Sequence, residues 1–330
     1  MKTRFNILFA ILLSALSAAT EVQAQSTGSS MAFLELPASA RGAALGGNAV
    51  SVQAHDPAQF IQNPALLSRA DTSVIGLGGM SWLAGTVVAG AQYCNSLGER
   101  ARYGFSARYV DYGSSPLTMP DATQTGTFSS KDMAAGVSCS YGFTDHLDGG
   151  VTGNVICSHY YQMTQVSVGV DLGLLYTEET RGLSMGIAAR NLGGQVKAFE
   201  NEFQKLPFNL CAGISWKMEH APMRFTLSMD QLTRWDRDDF LFADDSQAGF
   251  GEMLKRHTAI GAELLLGESF YVAAGCNLRT RAELSSPGNR SLTGFSFGTG
   301  ARLNRFSFDV AMGRYQVSTS SILMNFSFRI

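Results

Sequence analysis

From residue 72 to the end, the chain alternates apolar and polar side chains in short runs, and the last run is the clearest. In residues 320–330, Ile322, Met324, Phe326, Phe328 and Ile330 fall on one face, while Leu323, Asn325, Ser327 and Arg329 fall on the other. A strand turns successive side chains to opposite faces, so this tail predicts β-structure with one greasy side and one mostly polar side. The same pattern recurs upstream. Met223, Phe225, Leu227 and Met229 oppose Arg224, Thr226, Ser228 and Asp230; Phe306, Phe308, Val310 and Met312 oppose Arg305, Ser307, Asp309 and Ala311. Turn residues divide the region into predicted strands at 72–80, 85–94, 101–111, 131–141, 147–158, 166–177, 183–191, 207–218, 222–231, 255–266, 269–279, 292–302, 304–313 and 320–330. These number about fourteen, an even count, as single-chain bacterial barrels require. The pattern predicts an all-β, transmembrane antiparallel barrel whose last strand pairs with its first, leaving no edge open to lipid.

The lengths of the connections point the same way. Every second connection is compact: 95–100, 142–146, 178–182, 219–221, 267–268 and the joint at Leu303. The intervening set holds the long ones, 112–130, 192–206, 232–254 and 280–291, with only the first, 81–84, breaking the trend. Short periplasmic turns facing long extracellular loops are a property of outer-membrane barrels, and a soluble sandwich has no reason to sort loops by parity.

Ahead of the strands the texture changes. Lys2 and Arg4, an apolar stretch over 5–16 and Val22-Gln23-Ala24 form the three parts of a secretory signal peptide, 1–24, with cleavage expected after Ala24. The apolar part is shorter than the roughly 20 residues of a spanning helix. The first cysteine is Cys94, so no lipoprotein anchor is expected. Residues 25–71 carry glycine pairs and short helical signals, with Asp56 placed to cap a turn that begins at Pro57. Leaving so apolar a segment in the periplasm would be costly, so 25–71 is expected to fill the lumen as a plug and 72–330 to form the barrel.

Composition narrows the class. Hydrophobic residues make up 45% of the chain and charged ones 16%, below the roughly 25% usual for soluble domains. A net charge of −2 offers no footprint for nucleic acid. The five cysteines are odd in number and lie inside predicted strands, which suits small apolar fillers rather than a disulfide framework.

Candidate chemistry is sparse. His55, His146, His159, His220 and His257 show no metal-ligand spacing, and neither a metal nor a cofactor is expected. His159 beside Ser158 is a conceivable hydrolase pair near an outer strand end. Trp235, Asp236, Arg237, Asp238 and Asp239, followed by Asp244 and Asp245, form an acidic loop without the calcium-loop pattern. It is a solvated tip or a candidate partner-binding loop. Arg102, Arg108, Arg224, Arg302 and Arg305 are expected to point inward. Tyr93, Tyr109, Tyr141, Tyr160, Tyr161, Trp216, Trp235, Tyr271 and Tyr315 are expected at strand ends in interfacial girdles. Glycine runs at 76–79 and 294–300 are expected where a strand faces the plug closely.

Asn63-Pro64-Ala65, just before the first strand, resembles the signature of FadL-type outer-membrane transporters. A narrower likeness covers residues 33–67. Phe33-Leu34-Glu35-Leu36-Pro37-Ala38-Ser39-Ala40-Arg41, Ala44-Leu45-Gly46-Gly47-Asn48 and Gln62-Asn63-Pro64-Ala65-Leu66-Leu67 are similar to PorQ-like proteins of the type IX secretion system. PorV relatives have Asp-Ala-Arg and Met-Gly where this chain has Ser39-Ala40-Arg41 and Leu45-Gly46. The resemblance implies motif residues Leu36, Pro37, Ser39, Ala40, Arg41, Asn63, Pro64 and Ala65 in the plug. It also implies a non-enzymatic, integral outer-membrane protein whose extracellular loops hold a PorZ-like surface protein. That partner would stand beside a PorU/PorV-like attachment complex containing a sortase, which joins cargo to lipopolysaccharide. The alternative is a FadL-like transporter of hydrophobic small molecules; a hydrolase is a distant third.

Overall fold

The structure, a computed structural model, describes residues 31–54, 56–119, 123–161, 163–198, 203–236, 240, 249–267, 269–284, 292–314 and 320–330. The expected leader, His55, Arg237, Asp238, Asp239, Asp244, Asp245 and Tyr315 lie outside the described residues. Among the described residues no helix is long and apolar enough to cross a membrane, and crossing falls to strands.

The strands are β1 Val74–Ser81, β2 Val87–Ser96, β3 Ala101–Thr118, β4 Gln124–Gly142, β5 Leu147–Tyr160, β6 Met163–Glu178 and β7 Leu183–Lys197. They continue as β8 Asn209–Lys217, β9 Met223–Met229, β10 Thr258–Leu266, β11 Phe270–Asn277, β12 Phe295–Leu303, β13 Phe306–Gly313 and β14 Ser321–Arg329. Each pairs antiparallel with its sequence neighbours, and the ring closes where β1 meets β14 in a register running from Val74 opposite Arg329 to Ser81 opposite Ile322.

Period-two alternation sets inside from outside. On β14, Ile322, Met324 and Phe326 are exposed, while Leu323, Asn325 and Ser327 are buried against the interior. Around the ring Leu227, Ile260, Val272, Phe297 and Phe308 continue the outward apolar belt. Such a surface is stable only in hydrocarbon, where every backbone group of a closed barrel is already paired.

The wall is uneven. Strands β3 to β7 have 18, 19, 14, 16 and 15 residues, whereas the others have 7 to 10. Pairing of β2 with β3 ends at Val87 opposite Asp111, so the rest of the β3–β4 hairpin stands clear of the barrel on the side of the long connections. At about 3.3 Å per residue this overhang reaches roughly 20 Å outward.

Several expectations change here. Within the span expected as a loop, 112–118 and 124–130 are not loop but the hairpin's continuation, past an irregularity between Asp111 and Ser114. Gly113 takes a φ of 78° there and its amide donates to Asp111 Oδ1 at 2.8 Å, so the strand absorbs the extra residue instead of ending. β7 likewise runs on to Lys197, into the span expected as a loop. Two helices, Phe250–His257 and Leu278–Leu284, here α2 and α3, overlap the expected loops 232–254 and 280–291 and also take 255–257 and 278–279 from the strands expected at 255–266 and 269–279. Arg305 is exposed in the β12–β13 turn rather than inward, because β13 starts at Phe306, two residues later than expected. Tyr160 and Tyr271 leave the expected girdle. Their hydroxyls donate to Asp132 Oδ2 at 2.9 Å and Asp309 Oδ1 at 2.7 Å, both buried carboxylates, so the rings face the lumen.

Residues 31–54 and 56–71 run inside this wall. An α-helix, Ala40–Ala44 (α1), and two 3-10 turns, Pro57–Ile61 and Pro64–Arg69, contact β1–β6 and β11–β14 from within.

Candidate functional site

Capping side chains set the plug's course. Asp56 accepts from Ala58 N at 2.9 Å and Asn63 from Ala65 N at 3.0 Å, each with a proline in the first turn. Asn63 also donates Nδ2 to Val50 O at 2.8 Å and to Leu174 O at 3.2 Å, so it ties two plug segments to β6. Pro64 and Ala65 lie directly on Gly150 and Gly173, which pair with each other across β5 and β6; a Cβ on either would occupy the same space as the plug. Glycine is required here for contact, not for a turn.

The second contact is built from Ser39, which caps α1 through Gly42 N at 3.4 Å. Ala40 N donates to Asn325 Oδ1 at 2.5 Å, and Ser296 Oγ donates to Ala44 O at 2.9 Å. Gly298 lies under Ala44, as its run predicts, and Gly76 under Pro57. Leu36 O accepts from Arg108 Nη1 at 3.1 Å, and Pro37 borders a small cavity whose far side is lined by Gly78 and Gly79. The motif residues Leu36, Pro37, Ser39, Ala40, Arg41, Asn63, Pro64 and Ala65 are therefore brought to one place, the plug–wall contact. They act as clamps.

Arg41 supplies the charged clamp. Its Nε donates to Glu263 Oε1 at 2.6 Å, and its guanidinium lies 4.1 Å from the centroid of the Tyr271 ring. Glu263 is 1% exposed and takes a second cation, Arg224, at 3.2 Å through Oε2. That second contact lacks hydrogen-bond angles and is Coulombic, while Arg224 Nη1 donates to Gln53 O of the plug at 3.1 Å. Arg190 completes the set, donating to Asn48 Oδ1 and Leu34 O at 3.0 and 2.9 Å. Glu263 escaped the sequence reading, although a lone acid in Ala262-Glu263-Leu264-Leu265-Leu266 was a usable signal.

Between this charged contact and the periplasmic turns lies a cavity of about 440 Å³, bordered by Arg41 and Asp56 of the plug and by Lys217, Arg224, Arg302 and Asp309 of the wall. Burial, and the nearby Asp309 carboxylate, push the Asp56 carboxyl up to about 7.

At the other end α2 and α3 pack together over the barrel mouth. Arg279 bonds Glu283 Oε1 at 3.0 Å and Gln231 Oε1 at 2.6 Å, and Gln231 Nε2 reaches Glu35 Oε1 of the plug at 3.4 Å. Trp235, with its ring centroid 5.9 Å from that of exposed Phe250 and 4.4 Å from that of His257, marks the outer surface; Asp236 beside it is exposed. Burial lowers the His257 pKa.

The structure does not assemble the Ser158–His159 pair. Ser158 is fully buried toward the lumen, while His159 faces outward and bonds Thr164 Oγ1 at 3.0 Å, as adjacent residues of one strand must. The five cysteines stand as free thiols.

A closed wall of fourteen strands, apolar outside and filled by its own leading segment, defines an integral outer-membrane barrel with a luminal plug. No protein-family model matches the chain, and no curated protein matches it in sequence. Solved structures do. The barrel is similar to the Pseudomonas putida toluene transporter TodX at a TM-score of 0.56 and 14% identity, over 88% of this chain and 97% of that one. It is similar to the Ralstonia pickettii toluene transporter TbuX at 0.58 and 12%, over 90% and 100%. A Pseudomonas aeruginosa FadL homologue gives 0.52 and 9%, over 89% and 98%. At such identities the likeness establishes a FadL-like fold and nothing finer.

Proposed function

We propose that this barrel is a plugged membrane seat that holds partners at the cell surface, the role implied by the PorQ-like block at 33–67. The observation that carries the reading is how little apolar room the lumen offers. The 440 Å³ cavity is lined largely by charged and polar groups and faces the periplasm, and among the described residues a second cavity, near Asp171 and Arg190, is about 40 Å³. A benzene-sized guest needs an apolar space on the order of 150 Å³. The tall β3–β7 wall and the aromatic cap at Trp235 and Phe250 supply the outward surface for a PorZ-like protein and a PorU/PorV-like attachment complex. In the test, tagged barrel is captured from membranes in mild detergent. Recovery of a large surface β-protein with a sortase supports the proposal, and recovery of the barrel alone sinks it.

A second reading, transport of hydrophobic small molecules, draws more support from the fold comparisons than the first does, since the similar structures include toluene transporters. It requires the plug to shift and open an apolar path. Deletion would then impair uptake of hydrophobic nutrients while leaving secretion intact; the platform reading expects the reverse.

A further inference from the structure

The periplasm-facing cavity has the volume of a small-molecule site, which typically spans about 300–1,000 Å³, and its unspent polar groups are few and specific. We propose that it binds a small zwitterion of the α-amino-acid kind entering from the periplasm, with a second anionic group preferred at the mouth.

Arg41 supplies the first unspent group. With Nε on Glu263 and its face on Tyr271, the guanidinium is fixed, and neither Nη has a protein acceptor among the described residues. A guanidinium fork held in one orientation matches a carboxylate with two parallel hydrogen bonds.

Asp56 supplies the second. It is 4% exposed and borders the same cavity; Oδ1 accepts from Ala58 N at 2.9 Å, whereas Oδ2 has no donor of hydrogen-bond geometry among the described residues. A buried acceptor without a donor is unfavourable, and an incoming ammonium provides both the donor and the opposite charge. Asp309 faces the same space and adds to the pull on a cation. An α-amino acid carries its carboxylate and ammonium on one carbon, so it can meet neighbouring cationic and acidic groups together.

At the mouth the two cations differ. Arg302 is already held by Asp71 at 3.0 Å, whereas Lys217, the last residue of β8, has no side-chain partner among the described residues. Lys217 therefore favours a ligand with an acidic side chain. Because the lining comes from plug and wall alike, an occupant ties one to the other. The proposal stands under either reading of the barrel's role.

The test is calorimetric titration of the full barrel in detergent with L-glutamate and with glutarate, which keeps both carboxylates and lacks the amine. Saturable binding of glutamate is expected, at least about tenfold tighter than glutarate. Asp56→Asn should shrink that gap to about threefold or less, and Lys217→Gln should weaken glutamate about three- to tenfold without changing the heat-modifiable gel mobility. Absence of saturable glutamate binding, equal binding of glutarate, or wild-type affinity in Lys217→Gln overturns it. Should Asp56→Asn fail to assemble, the ligand contrast and Lys217→Gln decide alone.

Discussion

Glu263 shows how much one residue can hold. It is a buried carboxylate on β10 facing two guanidinium groups, one from the plug and one from β9. Removing one partner of a buried ion pair costs about 3–5 kcal/mol, because the other charge is stranded. Glu263→Gln is therefore expected to lower the unfolding free energy of the barrel, read from urea melts, by an amount in that range, and to make Arg41 accessible to guanidine-modifying reagents. Asp56 gives a pH dependence of known sign. Its carboxyl is pushed up from 3.8 to about 7, by burial first and then by Asp309, while Ser39, the Ala58 amide and Arg41 draw it back. Across that window the folded state keeps a proton that the unfolded chain releases, so stability is greatest in acid and falls as pH rises toward 7. Asp56→Asn keeps the cap and is expected to flatten the decline, measured as urea midpoints across the same range. The motif residues were legible in the sequence as a block, but their clamping role was not. It depends on Glu263, Asn325 and Ser296, which lie more than two hundred residues downstream.

Strands were the most legible elements, because alternation survives in almost every one and each core falls inside its expected window. Their outer ends were not. Gly113-Ser114-Ser115-Pro116 has the composition of a turn, yet one bulge and a left-handed glycine carry β3 past it. The two cap helices were missed because Phe250–His257 and Leu278–Leu284 have eight and seven residues, too few for a helical period to emerge. The plug contact yields an element-level prediction. Gly173→Ala places a methyl group where Asn63 Oδ1 and the Ala65 amide now lie. A cost of about 1–3 kcal/mol is expected from such overpacking, with limited proteolysis showing a loosened 57–69 segment. Gly153→Ala on the neighbouring β5 strand, where an added Cβ meets nothing within 4 Å, is the control and should behave as wild type.

The whole molecule has two environments, lipid outside and its own polypeptide inside, and two-residue alternation assigns each side chain to one of them. That is why the barrel could be anticipated from sequence while the inward tyrosines could not. An aromatic with a polar tip suits a headgroup zone and a buried carboxylate equally well. Leu227, 41% exposed near the middle of β9, tests the outer environment. Leu227→Arg is expected to cost about 2–4 kcal/mol at the bilayer midplane, read as reduced heat-modifiability, whereas Ser228→Ala on the inner face of the same strand should leave it unchanged.

The seam between Val74–Ser81 and Ser321–Arg329 joins the two extremities of the wall, with Ile330 N donating to Ser73 O at 2.8 Å. No ring can form before the C-terminal staves arrive, whereas the filling is made first and is thicker than any slit between bonded neighbours. The filling must therefore enter either before that seam zips or through an open end of the ring.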